Sequence, residues 1–195
     1  MASQNDEEKY ILEHFDGVTG RFYDIGAYDG KTASNTFALL ERGWRGVEVE
    51  PDPTNFLAMR KALDDFRDKV DMVHAAVSTG DTLARFWDSG GDLVSTLCES
   101  HHIIWKQNFP NFGGQPYFVR PVTPAELFST FGPAEFISLD VEGNNFEVFR
   151  ELPFTWPELS MICVELDETD QMVALAGEHG FRELCRTSEN LLLVR

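Results

Sequence analysis

The stretch Tyr23-Asp24-Ile25-Gly26-Ala27-Tyr28-Asp29-Gly30 constrains the fold more than any other part of the chain. It reads as the end of a buried strand, a glycine turn and the start of a helix, with the spacing acidic-x-Gly-x-x-x-Gly. Glycines at such a turn let the backbone approach a ligand where any side chain would collide. The strand-turn-helix setting gives the spacing its meaning, because short glycine patterns recur by chance. The dinucleotide pattern G-x-G-x-x-G and the phosphate-cradling G-x-x-x-x-G-K-S/T are both absent here. Asp24 and Asp29 flank the turn instead. Their charge repels a pyrophosphate and suits a cationic ligand that carries an amino group and a ribose. S-adenosylmethionine fits that description.

The chain around this turn alternates strand and helix. Residues 6–16 read as a short amphipathic helix at the domain edge or over part of a pocket. Residues 32–42 have helical apolar spacing, and Gly43 is placed to end the helix. Residues 46–50 form a second strand ending in Glu50, which lies 20 residues beyond Gly30. A carboxylate there sits beside the first strand's tip and can accept hydrogen bonds from both hydroxyls of a ribose. Pro51 and Pro53 stop that strand and open a helix over 54–66. A third strand spans 70–77 and includes Ala76 near its end. After residue 122 the alternation resumes: Thr123 caps a helix over 124–131, then come a strand over 135–140, a helix over 145–152 and a strand over 160–165. A helix over 170–179, ended by Gly180, leads into a hairpin of 181–186 and 191–195. This order predicts a mainly parallel sheet with helices on both faces. Ligands of such sheets bind outside the carboxyl ends of the strands. Asp24, Glu50, Ala76, Asp140 and Glu165 all fall at or near such ends.

Residues 80–122 break the pattern, with dense aromatics (Phe86, Trp87, Trp105, Phe109, Phe112, Tyr117, Phe118) and frequent glycine and proline. The aromatics argue for order rather than disorder. Short strands over 84–87 and 117–122 and a helix over 99–108 are expected within this insert. The 195 residues, this insert included, are expected to form one domain with a sizeable core, the insert being placed as a lid or acceptor region. A net charge of −17 opposes docking on a phosphate backbone or an anionic lipid surface. Cys98, Cys163 and Cys185 lie far apart, as expected of reduced thiols in a cytoplasmic protein. The polar, acidic start resembles no leader peptide, and no apolar run approaches the ~20 residues that cross a bilayer.

Several motifs, in register, resemble the FkbM-type S-adenosylmethionine-dependent methyltransferases. They are Asp24-Ile-Gly26-Ala27-Tyr-Asp29-Gly30, Ser34-Asn35-Thr36, Gly43-Trp44-Arg45-Gly46, Glu50-Pro51-Asp52-Pro53 and Asp140-Val-Glu142-Gly143. Their order and spacing agree from about residue 20 to the C-terminus. The resemblance implies a class I methyltransferase fold, a Rossmann-like sandwich of seven strands whose last strand is antiparallel. It implies methyl transfer to oxygen, commonly a hydroxyl of a sugar or natural product. It also implies donor binding by Asp24, Gly26, Ala27, Asp29, Gly30, Glu50, Pro51 and the amide of Ala76. One position departs: many members carry a further Glu two residues after the glycine, and Asn145 stands there in this chain.

Methyl transfer to a hydroxyl needs donor and acceptor in line and a group that takes the proton. Asp140 and Glu142 leave the fourth strand of the alternation on one short loop, and Glu165 ends the next. One of the three is the candidate base. The alternative is that the first two hold a divalent cation that lowers the hydroxyl's pKa. His101 and His102, in the insert, are weaker candidates. The expected acceptor is a small molecule or glycan, met by the insert and the loop after Asp140. Two rival functions stay open on the residues alone. One is a cofactor-binding protein without catalysis, favoured by Asn145. The other is a nicotinamide-dependent oxidoreductase, disfavoured by the missing third glycine and by Asp29.

Overall fold

The structure is a computed structural model and describes residues 3–108 and 116–195. Phe109 and Phe112 lie outside the described residues. In chain order the elements are α1 (Glu7–His14), β1 (Arg21–Ile25), α2 (Phe37–Glu41), β2 (Arg45–Val49), α3 (Pro53–Ala62), β3 (Val70–Val73), β4 (Ala84–Phe86), α4 (Glu99–Asn108), β5 (Tyr117–Val119), α5 (Pro124–Phe131), β6 (Phe136–Leu139), α6 (Asn145–Phe149), β7 (Met161–Glu165), α7 (Thr169–Glu178), β8 (Arg182–Arg186) and β9 (Asn190–Val194).

Seven strands form one sheet in the order β3-β2-β1-β6-β7-β9-β8. The pairs from β3 through β7 are parallel, and β9 runs antiparallel to both its neighbours. This is the seven-stranded sheet with an antiparallel last strand that the motifs imply. From β1 the chain first builds outward to β2 and β3, then crosses back to lay β6 and β7 on the other side. The tips of β1 and β6 are therefore the switch point where such sheets bind ligands.

Successive strand residues face opposite layers. Phe22, Phe136, Met161 and Leu192 pack with Ile11, Phe15, Leu40 and Met59, which come from α1–α3 and the residues that flank them. Tyr23, Ile25, Val47, Ile137 and Val164 pack with Leu127, Phe149 and Met172 of α5–α7. Burial on both faces explains the almost continuous apolar runs of the central strands. A polar row interrupts them. Glu48, Asp24 and Ser138 are register neighbours across β2, β1 and β6, and all three are buried.

Several elements are shorter than expected: α1 covers only part of 6–16, α6 stops at Phe149 and β5 at Val119, and two further cases have a visible cause. The helix of 32–42 forms only over α2. Ala33 takes φ +58°, and the Ser34 hydroxyl accepts from the N–H groups of Thr36 and Phe37 at 3.1 and 3.0 Å. Side-chain capping within the Ser34-Asn35-Thr36 motif thus moves the helix start to Phe37. The third strand stops at Val73, whose carbonyl accepts from the Glu50 N–H at 3.0 Å. Beyond it, the Val122 N–H donates to the Ala76 carbonyl at 2.9 Å and the Ser78 N–H to the Val122 carbonyl at 3.1 Å. The end of the expected strand pairs with the returning insert instead of with β2. Within the insert β4 and β5 are an antiparallel pair, and α4 spans the residues expected for it. No helix among the described residues is long and apolar enough to cross a membrane.

Candidate active site

The turn after β1 is built around Gly26. Its N–H and that of Ala27 both donate to the Val49 carbonyl, at 2.9 and 3.0 Å. Gly26 has φ +91°, and a Cβ there would lie 1.7 Å from the carbonyl oxygen of Asp140. The glycine therefore lets the tips of β1 and β6 touch. Gly30, at φ +70°, faces Leu63 and Met59, which a Cβ would meet at 2.7 and 3.1 Å. It is a packing position against α3 and lines neither of the cavities described below. Asp29 also stays local. Its carboxylate accepts from the Lys31 and Thr32 N–H groups and from the Thr32 hydroxyl, at 2.6–2.9 Å. Of the turn residues expected to reach a ligand, Asp24, Gly26 and Ala27 line a cavity, while Asp29 and Gly30 shape the turn.

Glu50 is 5% exposed at the tip of β2. Its two carboxylate oxygens accept from the Tyr28 and Asp52 N–H groups, at 2.9 and 2.8 Å. Burial pushes its pKa up to about 8, partly offset by those two hydrogen bonds. It lines a cavity that is partly open to solvent. Ile25, Val49, Pro51, Ala76 and Phe86 supply apolar walls, and Asn55, Ser95 and Thr96 polar ones.

A second cavity lies beside it and shares Gly26, Tyr28, Leu93, Asp140 and Glu142 with the first. Glu165, Asn35, Ser138, Glu189 and Gln4 complete much of its wall, and every charged side chain that lines it is acidic. Asp140, Glu142 and Glu165 each bring an oxygen within 4.8 Å of the others. Burial, then the charges of its two neighbours, raises Glu165 to about 9. Burial and the Asp140 charge raise Glu142 to about 8. Asp140 is also raised, chiefly by burial, and a hydrogen bond to Glu165 works against the rise. Three carboxyls this close cannot all ionise near neutral pH, so the group holds a proton in reserve. An all-oxygen set also suits a hard divalent cation such as Mg²⁺ or Ca²⁺.

Asn145, where many FkbM-type chains carry Glu, is 1% exposed. Its carbonyl oxygen accepts from the Val141 N–H at 2.8 Å, and its amide donates to Glu165 at 2.5 Å. An unprotonated Glu could not make that donation. The substitution therefore ties Glu165 to the loop after β6 and leaves the three other carboxyls in place.

Sequence reading did not find some members of the site. Thr36, at the start of α2, donates to Asp24 at 2.7 Å and lies 3.4 Å from Glu48. Burial raises Asp24 to about 6 and lifts Glu48 well above the carboxylate range. A polar residue in each of three neighbouring apolar strands was the available signal. Trp105, by contrast, is one of the insert aromatics expected at the acceptor site, and it reaches Glu142 from α4. Of the paired histidines, His101 places Nδ1 3.7 Å from Glu142, while His102 stacks on Trp87 at 5.3 Å.

These raised carboxyls fix a sign for the pH dependence of stability. Folded Asp24, Glu50, Glu142 and Glu165 hold protons that the unfolded chain releases near pH 4 to 4.5. The stability they contribute is complete below about pH 4 and is lost as the pH rises to 8 or 9. Thermal melts of the ligand-free protein from pH 5 to 9 are expected to show a falling midpoint, with a shallower fall in Glu50→Gln. A midpoint that rises across this window would contradict the burial of these groups.

Comparison with known proteins now bears on the same residues. The profile of the methyltransferase FkbM domain matches residues 24–183. No curated protein sequence matches. Among solved structures, the methyltransferase FkbM of Methylobacillus flagellatus KT aligns with a TM-score of 0.58 at 13% identity, over 100% of this chain and 48% of that one. The chain thus spans about half the length of that protein. A precorrin-6y C5,15-methyltransferase from Geobacter metallireducens GS-15 aligns at 0.50 with 14% identity, over 96% of this chain and 86% of that one. A ribosomal protein L11 methylase from Lactobacillus delbrueckii subsp. bulgaricus aligns at 0.50 with 9% identity, over 97% and 77%. These likenesses show the class I methyltransferase fold. The profile match runs from the carboxylate of β1, through the β2 and β6 tips, to the start of β8, and by it this chain belongs to the FkbM methyltransferase family.

Proposed function

We propose that the protein transfers a methyl group from S-adenosylmethionine to a hydroxyl of a small molecule or glycan. The observation that carries this reading is the continuity of the two cavities, which meet at Asp140 and Glu142. Glu50 keeps acceptor capacity on both oxygens for the two ribose hydroxyls of the donor. Ala76 and the apolar wall beside it suit the adenine. Asn35 Oδ1 and Asp140 Oδ1 are buried without a hydrogen-bond partner and line the second cavity, so a ligand ammonium supplies the donors they lack. The donor's reactive end then lies over Gly26, at the junction.

The sulfonium of the donor supplies an electrophilic methyl and a neutral thioether leaving group. The chain's residues supply alignment and a base. One carboxylate of the Asp140, Glu142 and Glu165 group accepts the hydroxyl proton as the acceptor oxygen bonds to the methyl carbon and the carbon–sulfur electrons return to sulfur. Burial makes these carboxylates more basic than usual, which suits them to that step near neutral pH. The acidic lining opposes anionic acceptors. The function is tested by incubating the protein with labelled donor and a panel of hydroxylated acceptors. Tight binding of the donor with no transfer to any acceptor would favour a binding role without catalysis.

The 4.8 Å grouping of the same oxygens supports a second arrangement, in which Asp140, Glu142 and Glu165 would hold a divalent cation that lowers the pKa of the acceptor hydroxyl. Transfer that survives a chelator and gains nothing from added Mn²⁺ favours the carboxylate base.

Glu50→Ala is expected to weaken binding of S-adenosylhomocysteine, measured by calorimetry. Each hydrogen bond to a carboxylate is worth about 1.5–3 kcal/mol after exchange with water, so losing both should cost at least about 10- to 100-fold in affinity. An unchanged dissociation constant in a folded variant would remove Glu50 from the ribose site.

A further inference from the structure

The two cavities meet at Glu142, and a residue of the insert holds the backbone there. Glu142 has φ +48° and Gly143 φ +86°, so the loop after β6 passes through two left-handed residues, one of which is not glycine. The Thr96 hydroxyl donates to the Glu142 carbonyl at 2.6 Å and accepts from the Cys98 N–H at 2.8 Å. Thr96 is 1% exposed, and its N–H and carbonyl both pair with Trp87, at 3.0 and 2.9 Å. The His101 ring fills the space beside Gly143, where a Cβ would fall 2.6 Å from it. Ser95, Thr96 and Leu97 are at the same time a wall of the Glu50 cavity. One short segment therefore lines the donor cavity and grips the backbone of a carboxylate that faces the acceptor cavity.

We propose that Thr96 is a positioning residue for Glu142, and that through it an occupied donor cavity sets the carboxylate that meets the acceptor. The proposal rests on the donor reading given above. The Thr96 hydroxyl is held at both ends and cannot turn away without leaving the Glu142 carbonyl and the Cys98 N–H unpaired. A donor seated against residues 95–97 restrains that segment, and the hydroxyl passes the restraint to the loop. Without a donor the segment opens more often, and the left-handed turn at Glu142 opens with it. The acceptor site is thus completed after the donor binds, which orders the two binding steps.

Amide hydrogen exchange on the wild type, Thr96→Val and Thr96→Ser tests this. Each protein is measured without ligand and at S-adenosylhomocysteine concentrations that saturate it by its own calorimetric constant. In the wild type the ligand is expected to slow exchange in both 95–98 and 141–144 by about tenfold or more, as when a local opening is suppressed. In Thr96→Val the slowing at 141–144 is expected to vanish while the β1 turn is still protected. Thr96→Ser, which keeps the hydroxyl, is expected to restore it. Equal protection of 141–144 in Thr96→Val, or no restoration by serine, would overturn the proposal. Protection of 95–98 without 141–144 in the wild type would overturn it as well, and that arm decides the matter if Thr96→Val does not fold. Failure of the wild type to bind S-adenosylhomocysteine is a distinct result, which removes the donor reading and the coupling with it.

Discussion

Gly26→Ala is expected to destabilise the protein severely and to abolish donor binding. The new Cβ would fall 1.7 Å from the Asp140 carbonyl oxygen, a backbone atom that cannot swing aside. The residue would also have to hold φ +91°. Overpacking of about 1–3 kcal/mol and backbone strain of about 1–3 kcal/mol add to about 2–6 kcal/mol. At about 2–4 °C per kcal/mol for a chain of this size, the melting midpoint should drop by roughly 4–24 °C. Relief of the clash requires the β1 and β6 tips to part, which opens the junction where donor and acceptor meet. A variant that melts within a few degrees of the wild type and binds S-adenosylhomocysteine normally would show that the contact of the two tips is dispensable.

Asp140→Asn is expected to leave the donor site standing and remove most of the chemistry. The amide keeps the shape of the side chain and an oxygen that can still accept from a ligand ammonium, but it cannot take a proton. Loss of a positioned base costs about 10²- to 10⁴-fold in turnover. Affinity for S-adenosylhomocysteine should stay within a factor of about five, or about 1 kcal/mol. Turnover is to be measured with the acceptor that the panel identifies. If affinity fell in parallel with turnover, the Asp140 charge would serve only to hold the donor's ammonium, and the proton would go to Glu142 or Glu165. A chelator-sensitive residual rate would point to the cation arrangement instead.

Where the sequence could be read and where it could not follows from the range of the interactions involved. Glu50 was legible because a strand end and a glycine turn fix its position through local spacing, and the fold brings β1 and β2 side by side in register. Thr123 and Gly43 were legible because caps act within one turn of a helix; Thr123 does accept from the Glu126 N–H, at 3.2 Å. The start of α2 was misplaced because Ser34 competes for backbone N–H groups that apolar spacing alone assigns to a helix. Glu48 was missed because its alternation with Val47 and Val49 looks like a solvated strand face. Only the register of β1 against β2 shows that it is buried beside Asp24. Glu7 is similar. It reads as a polar face of a terminal helix, yet it is fully buried and accepts from the Thr187 hydroxyl at 2.5 Å and the Asn190 amide at 3.2 Å, 180 or more residues away. The grip of Thr96 on Glu142 spans 46 residues through an irregular segment, where no periodicity marks which side chain meets which loop.

The pairing of Ala76 and Ser78 with Val122 closes the long excursion at a neck only two hydrogen bonds wide. Between those points the excursion is also tied to the loops at the strand tips, by Ser95 to Asp52, by the Asp92 carbonyl to Asn55 and by Thr96 to the Glu142 carbonyl. Because the free-energy cost of closing a loop grows only with the logarithm of its length, the stretches between those ties can lengthen or shorten at little cost to the sheet beneath. Side chains of the excursion line both cavities beside the strand tips. Change in length between those ties is in this way separated from the packed core that holds the sheet together.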